Sequence, residues 1–316
     1  MNAKKLVGIL CIAAILAIFI RMMFFETIRI TTSAMSENQS VGNRLIIEKW
    51  SMGARMPLSI GIPFVSDELY GKKTYFRISK FPFRFLGLKK IERNDLLAFN
   101  YPIENDKPID MHPLLLSRCL GLPGEYIRLR GAQLYVNDQK IKRNNDALLC
   151  YSYPIESQNG VTALLDAAHI HQKTFQEKDS GFVYLTRYQY YSFNSEQPRK
   201  TIRLKIRSSS FDERRAVIPY EGFHLELNHR TYELWAEIIN RYEGVNLKQT
   251  KDGLFEVDGK RVEDYTFRQN YYWLLNDHQG YLNDSRSFGI IPESHIIGKA
   301  WFVLFSPETK RFLQYI

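Results

Sequence analysis

The first apolar segment of the chain is long and carries almost no charge. It runs from Leu6 to Phe25, about twenty residues, and its one charged residue is Arg21, near the end. A helix of that length reaches roughly 30 Å, which matches the hydrocarbon core of a bilayer. The pattern predicts a transmembrane anchor over residues 6–25, with the Arg21 side chain extended toward the membrane interface.

A cleaved signal peptide is the competing interpretation of this segment. Cleavage requires small residues just after the apolar run, whereas Arg21 is followed here by Met, Met, Phe, Phe and Glu. Cys11 is not directly preceded by small residues either, which disfavours a lipoprotein site. We therefore expect an uncleaved anchor. Lys4 and Lys5 place residues 1–5 in the cytoplasm and the remaining chain outside it.

Beyond the anchor, short runs of branched and aromatic residues dominate the pattern. Examples are "RLIIEKW", "LLAFNY", "YIRLRG" and "AWFVLFS", and several of the runs are followed by turn signals. Such runs are typical of β-strands. The stretch "FEVDGKRVED" predicts a hairpin with Asp258 and Gly259 at its turn. The predicted fold class is mainly β.

The clearest helical pattern lies far along the chain, in "NHRTYELWAEIINRYEG". Four apolar side chains fall at helical spacing: Leu234, Trp235, Ile238 and Ile239. Because a glycine after the last apolar turn commonly ends a helix, Gly244 marks the predicted stop.

The region that contains this helix differs in composition from its flanks. Residues 144–251 are more polar and include stretches such as "ESQNG" and "FNSEQPRK". We expect an inserted α+β cap over 144–251, between two parts of a β domain formed by residues 26–143 and 252–316.

Composition changes this picture little. The 316 residues are 45% hydrophobic and 14% aromatic, which is enough for a substantial core. A net charge of +9 is compatible with binding to nucleic acid or to an anionic membrane. The basic residues form only short runs, however, and no zinc-ligand spacing or phosphate-binding loop is present in the sequence. We therefore expect no nucleic-acid partner, no metal and no cofactor.

The chain has three cysteines, and they leave two possibilities open. Cys11 lies in the predicted anchor. Cys119 and Cys150 could form a disulfide in an oxidising compartment, or they could remain separate thiols.

Four motifs occur in chain order: "TSAMSENQSVGN", "IERNDLLAFNYP", "LLLSRCLGLPGE" and "LLNDHQGYLNDSRSFGIIPESHIIGKAWFVLFS". Together they resemble the motifs of type I signal peptidases, the membrane-anchored serine endopeptidases that remove signal peptides from exported proteins. The stretch "SMGARMPLSIGIPF" is similar to a G-x-R-x-P segment of many members. The resemblance implies antiparallel sheets, exported precursors as partners, and a bacterial inner-membrane location with the main domain periplasmic.

The resemblance also implies a catalytic Ser–Lys dyad, which this sequence lacks. Alignment on Met35 and Gly42 places Ala34 at the nucleophilic serine. Alignment on Arg118 and the "GLPG" that follows places Ser117 at the lysine. A methyl group cannot attack a carbonyl, and a serine hydroxyl is a poor general base. Arg118 cannot replace the lysine because a guanidinium does not deprotonate in proteins.

A third position agrees with these two. The "DSR" motif fixes the register and places Leu282 at the serine that supports the lysine in the family. The family's Gly-Asp-Asn becomes Asn276, Asp277 and His278. The motif positions that are retained are those expected to serve backbone turns and packing: Met35, Gly42, Arg118, Gly121, Pro123, Gly124, Asp284, Ser285 and Arg286. We expect Asp284 and Arg286 to form a structural ion pair.

Other residues were considered as replacements for the dyad. A slip in the alignment would make Ser33 or Ser36 the nucleophile, but the base would still be missing. Thr32 stands where the family has a hydroxyl that donates to the oxyanion. We expect His278, beside an Asp, to be a solvated surface residue rather than part of a new triad. We expect Cys119, on the same strand face as Ser117, to serve packing.

These observations predict a membrane-bound signal peptidase homologue without peptidase activity. One hypothesis is that it binds signal peptides, and another is that it binds a partner such as an active signal peptidase. The alternative is an active signal peptidase that cleaves exported precursors with Ser33 or Ser36 as a displaced nucleophile.

Overall fold

The computed structural model describes residues 3–35, 41–61, 68–69, 72–79, 82–103, 107–130, 133–197, 201–207, 214–308, 310 and 312–316. The chain begins with a helix, Ala3–Phe24, that leads directly into the strand Phe25–Arg29. Apolar side chains of this helix, including Ile12 and Ile15, are exposed. Among the described residues, no helix meets the combined length and apolarity of a membrane-spanning segment. The anchor over residues 6–25 stays a prediction.

A main antiparallel sheet forms the centre of the molecule. Its strands lie in the order Phe25–Arg29, Arg44–Glu48, Ile296–Phe305, Leu96–Asn100, Leu114–Gly121, Tyr271–Leu275 and Ile291–Pro292, and Phe312–Tyr315 also pairs with Ile296–Phe305. Every pairing in this sheet is antiparallel. The mainly β, antiparallel fold expected from the sequence is confirmed.

The main sheet has a hydrophobic core on each face. Every residue of Leu96–Asn100 is buried, because alternate side chains enter the two cores. Leu96 and Ala98 pack with Leu116 on one face, whereas Leu97 and Phe99 pack with the opposite cluster. Continuous apolar runs in the sequence therefore become central strands that are covered on both sides.

A second sheet packs against the helix that the sequence predicts. Its strands lie in the order Gln139–Lys140, Gln133–Val136, Tyr126–Arg130 and Arg214–Val217. The helix spans His229–Tyr242, begins at the capping residue Asn228 and ends before Gly244, whose φ is +68°. The predicted helix and its stop are confirmed.

One of the four apolar residues at helical spacing, Leu234, does not face the core. That side chain is 62% exposed, whereas Tyr232, Trp235 and Ile239 face the core. Helical spacing alone does not determine which side of the helix is buried. The position of the second sheet determines it.

The predicted hairpin is also confirmed. Its strands are Phe255–Val257 and Lys260–Val262, and both turn residues, Asp258 and Gly259, have positive φ. Such a pair of φ values matches the right-handed twist of the flanking strands.

A third sheet carries the most polar part of the chain. Its strands lie in the order Thr174–Glu177, Ser180–Leu185, Leu149–Pro154 and Lys205–Ile206, and the helices Gln158–Ala167 and Arg187–Ser195 cover it. The core of the second sheet includes residues on both sides of position 251, among them Ile239 and Phe255. The domain division at 144 and 251 stays a prediction, and this core crosses its second boundary.

Shorter elements complete the described structure. The strands are Ser59–Gly61, Glu68–Leu69, Lys72–Lys73, Tyr75–Arg77, His224–Glu226, Leu247–Gln249 and Asp264–Thr266; the short helices are Ile109–Met111, Ile155–Ser157, Ser285–Phe288 and Glu293–His295.

A buried histidine lies at the start of the longest strand of the main sheet. His295 directly precedes Ile296–Phe305 and is 4% exposed. The rings of Tyr242 and His112 lie 5.3 and 6.4 Å from the His295 ring, between centroids. Burial, followed by the positive charge of Arg55 and by His112, lowers the pKa of His295 to about 3. The imidazole is therefore neutral in the folded protein at neutral pH.

We predict that His295 makes the protein less stable in mild acid. In the unfolded chain a histidine takes up a proton below about pH 6.5, and the folded state resists that proton, so the free energy of unfolding falls as the pH drops from 6.5 toward 3. Between pH 7 and pH 4.5 this loss is roughly 2–3 kcal/mol. Urea unfolding at both pH values should show a smaller difference for His295→Gln than for the natural protein. His229→Gln, at an exposed position, should keep the full difference, and an equal difference in all three proteins would contradict the prediction.

Candidate functional site

A buried ion pair holds the loop that follows the strand Tyr271–Leu275. Arg286 donates from Nε to Oδ1 of Asp284 at 2.9 Å and from Nη2 to Oδ2 at 2.6 Å, and the two residues are 5% and 0% exposed. The same guanidinium donates to the carbonyl oxygens of Gln279 and Tyr281, both at 2.6 Å. The ion pair expected from the sequence is present, and it closes the loop on itself.

Ser117, at the lysine position of the family, contacts the first residue of this loop. Its side chain is fully buried, and its hydroxyl donates to Oδ1 of Asn276 at 2.7 Å. Asn276 is fixed in turn, because its N–H donates to Asp284 at 2.9 Å and its Nδ2 to the Tyr281 carbonyl at 3.0 Å. Its own carbonyl accepts from Arg143. The Ser117 hydroxyl therefore faces a neutral amide held by other groups.

Asp277 forms a bidentate ion pair with Arg118. Arg118 donates from Nε at 2.9 Å and from Nη2 at 2.7 Å, one nitrogen to each carboxylate oxygen. Burial lowers the pKa of Arg118, but the hydrogen bond and charge of Asp277 outweigh it, so the pKa is raised. Both oxygens of Asp277 are thus engaged by a guanidinium. The carboxylate is not oriented toward an imidazole, as a triad would require.

Ala34, at the nucleophile position, lies against the same loop. It is 8% exposed, and its carbonyl accepts from the His278 N–H at 3.0 Å. Thr32 and Ser33 precede it in an exposed turn. The alternative nucleophile Ser36 lies outside the described residues. Because Asn276 binds Ser117 and His278 binds Ala34, the loop contacts both of the positions that the sequence analysis assigned to the dyad.

His278 is not the solvated residue that the sequence suggested. Its ring is half-buried between Tyr184, at 4.4 Å, and Tyr281, at 4.8 Å between ring centroids. Burial, followed by the positive charges of Arg286 and Arg143, lowers the pKa of His278 to about 4. The expectation failed because residues from the third sheet, far away in sequence, cover the loop.

The tautomer of His278 limits what it can do. Its Nδ1 accepts the N–H of Gly280 at 3.1 Å. A neutral imidazole that accepts at Nδ1 carries its proton on Nε2, where it can donate but not accept. His278 is therefore not arranged as a general base.

The remaining motif residues serve the framework of the site. Met35 is buried in the core of the main sheet. Gly42 and Gly124 have φ of +93° and +83°, in the region that favours glycine. A Cβ on Gly121 would lie 2.5 Å from Ile218 Cδ1 and 2.8 Å from Trp273 Cβ, so side chains of the second-sheet core leave no room for one.

Three other motif residues have distinct positions. Pro123 lies half-buried after the strand Leu114–Gly121. The Ser285 hydroxyl accepts the Leu274 N–H at 2.9 Å. Leu282 is 43% exposed and offers no hydrogen-bonding group.

Cys119 and Cys150, for which the sequence allows either a disulfide or separate thiols, are both free thiols and both buried. Cys119 lies in the core on one face of the main sheet, which agrees with a packing role. Burial raises the pKa of its thiol far above the usual value. The thiolate that a nucleophile needs is thus disfavoured.

Arg143 is the functional residue that the sequence did not reveal. Its guanidinium is half-buried and donates to the Asn276 carbonyl. Burial, with the positive charges of Arg286 and Arg118, lowers the pKa of Arg143 to about 10, despite the opposite effect of Asp277. No local pattern marks this arginine, because its partners lie more than a hundred residues away. Within the described residues, no group of three or more His, Cys, Asp or Glu side chains is placed to hold a metal ion.

Comparison with known proteins identifies the family of the chain. The family model described as "Signal peptidase, peptidase S26" matches residues 3–196 and 217–305. Signal peptidase I of Buchnera aphidicola from Acyrthosiphon pisum is 22% identical over 286 residues, 90% of this chain and 70% of that protein. The Haemophilus influenzae signal peptidase I is 20% identical over 92% of this chain and 66% of its own length.

A third relative matches a shorter stretch. Signal peptidase I of Helicobacter pylori is 23% identical over 95 residues, and the chain covers about a third (32%) of its length. Because the family model covers most of the chain, this protein belongs to the signal peptidase family, peptidase S26.

Proposed function

We propose that this protein binds signal peptides of exported precursors without cleaving them. The observation that carries the proposal is the environment of Ser117. Its buried hydroxyl donates a hydrogen bond to Asn276. Catalysis by a Ser–Lys dyad would need a neutral amine at this position, whereas the hydroxyl is weakly basic and already hydrogen-bonded.

The rest of the site supports the loss of catalysis. The Ala34 methyl group has no nucleophilic atom, and Ser33 has no base among its described hydrogen-bond partners. A general base needs a ring nitrogen with a free lone pair. In His278, Nδ1 already accepts a hydrogen bond and Nε2 carries the proton. Arg118, Arg143 and Arg286 are permanent cations and cannot accept a proton. The charged groups of the site can hold a ligand, but they cannot move a proton to or from it.

An open strand edge next to the site supports peptide binding. Arg118, Cys119 and Gly121 pair with the strand Tyr271–Leu275, but residues 114–117 have a described strand partner on one side only. An extended peptide can add to such an edge through its backbone N–H and C=O groups. Leu114, Leu116 and Met35 give this edge an apolar floor, which suits the apolar residues of a signal peptide.

We predict that a signal peptide binds the natural protein through backbone hydrogen bonds. N-methylation of one peptide bond at a time should weaken binding at every second position, because alternate N–H groups point toward the edge. Each sensitive position should lose roughly 3- to 10-fold in affinity. Fluorescence anisotropy with the detergent-purified protein measures this, and a scrambled peptide of the same composition is the control. If no signal peptide binds, the binding proposal falls and a partner protein, such as an active signal peptidase, becomes the ligand to seek.

We also propose that residues 6–25 anchor the protein in the bacterial inner membrane. Large apolar side chains on several sides of the helix Ala3–Phe24 are exposed, among them Leu10, Ile12, Ile15 and Phe19. Exposure of that apolar surface to water is unfavourable in free energy. Residues 1–5 then lie in the cytoplasm and the β domain lies in the periplasm.

The anchor makes a separate prediction. Replacing Ile12 and Ile15 by Lys puts two charges near the middle of the segment, at about 2.5–3.5 kcal/mol each on insertion scales. We expect the variant to shift from the membrane pellet to the soluble fraction on alkaline carbonate extraction. Leu234→Lys with Leu254→Lys, at exposed positions outside the helix Ala3–Phe24, should stay in the pellet. A natural protein that is itself released by carbonate would contradict the anchor.

A further inference from the structure

A second possible binding site lies between the second and third sheets. It is a cavity of about 790 Å³, within the size range of small-ligand sites. Six basic side chains line it: Arg130, Lys140, Lys142, Arg143, Arg187 and Arg207. Among its described lining residues there is no Asp or Glu. We refer to it as the cationic cavity.

Few of these charges are balanced within the described structure. Arg207 donates to Glu177 at 2.7 Å, and Arg143 donates to a backbone carbonyl. The other four make no ion pair with any described carboxylate. The Arg187 guanidinium donates to the Tyr191 hydroxyl at 3.3 Å and lies over the Tyr191 ring. Like charges that share a concave, partly dehydrated wall repel one another and attract an anion.

Tyrosines supply a further part of the wall. Tyr151 and Tyr190 stack with ring centroids 4.8 Å apart, and Tyr135 and Tyr191 also line the cavity. Such rings present both apolar faces and hydroxyl groups, a combination typical of peptide-binding surfaces.

Two sheet edges border the cationic cavity. Gln139–Lys140 is the terminal strand of the second sheet, and Lys205–Ile206 is the terminal strand of the third, in the part of the chain that the structure describes. Lys140 and Ile206 both line the cavity. Edge strands recognise an extended polypeptide through its backbone. This feature favours a peptide over an anionic lipid headgroup, which has no strand to pair.

The cationic cavity borders the loop of the candidate site. Arg143 lines the cavity and donates to the Asn276 carbonyl in the site loop. Next to Ala147, another lining residue, Leu148 donates its N–H to the Asp277 carbonyl at 3.0 Å. A chain bound at the site could therefore extend into the cavity.

We propose that the cationic cavity binds an extended acidic peptide segment, with its carboxylates on Lys140, Arg143 and Arg187. The proposal rests on the proposed function in one respect only, namely that the acidic segment belongs to an exported precursor.

The test uses the full-length protein in detergent and a short peptide that contains several Asp and Glu residues but no signal sequence. Its control is the twin peptide with Asn and Gln in their place. The variant Lys140→Gln/Arg187→Gln removes two charges from the cavity. Lys248→Gln/Arg261→Gln removes two exposed charges from the separate sheet that contains Leu247–Gln249 and Lys260–Val262. In a third arm the protein is transferred from detergent into nanodiscs of neutral lipid, and vesicles of anionic phospholipid compete.

We expect the acidic peptide to bind at least about tenfold more tightly than its amide twin. The affinity of the acidic peptide should fall as salt is added. The cavity variant should lose roughly tenfold, and the control variant should change less than about twofold. Equal binding of the twin, equal losses in both variants, or binding of vesicles in place of the peptide would each overturn the proposal.

The outcome also separates this inference from the proposed function. If the signal peptide binds and the acidic peptide does not, the cationic cavity has no peptide ligand and the proposed function stands. If the acidic peptide binds and the signal peptide does not, the cavity remains an acidic-peptide site, but the acidic segment does not come from an exported precursor.

Discussion

The buried ion pair between Asp284 and Arg286 is the interaction on which the site depends. It folds residues 276–286 into one rigid loop, from which Asn276 reaches Ser117 and His278 reaches Ala34. Loss of one partner of such a pair leaves an unpaired buried charge, at a cost of roughly 3–5 kcal/mol. The pair therefore serves the architecture of the site.

The groups at the candidate site differ from those that a Ser–Lys dyad needs. A Ser–Lys dyad needs an amine that is neutral at working pH, in an apolar setting. Here the same space holds the neutral amide of Asn276 and three guanidinium groups, with the two aspartates already paired to Arg118 and Arg286. Such groups stabilise an anionic or polar ligand. Guanidinium groups and an amide keep their protonation state at neutral pH, which supports the proposal that the site binds without catalysing proton transfer.

The sequence predicted what local rules decide. The helix His229–Tyr242 has a capping residue, an apolar face and a terminal glycine, and the hairpin Phe255–Val262 has an Asp–Gly turn, so each is specified by adjacent residues. Contacts between distant segments could not be predicted. The outward direction of Leu234, the tyrosine cover of His278 and the hydrogen bond from Arg143 all depend on how separate sheets pack. The cationic cavity was missed for the same reason, because its charges come from two sheets and a helix.

The most direct measurement is cleavage of an exported precursor by the natural protein, with the new N-terminus identified by mass spectrometry. A site without nucleophile or base should yield no product at the signal-peptide junction above the amount formed in buffer alone, even at high protein concentration and over long incubation. A product at that junction that disappears in Ser33→Ala or Ser36→Ala would contradict the loss of catalysis and would identify the displaced nucleophile.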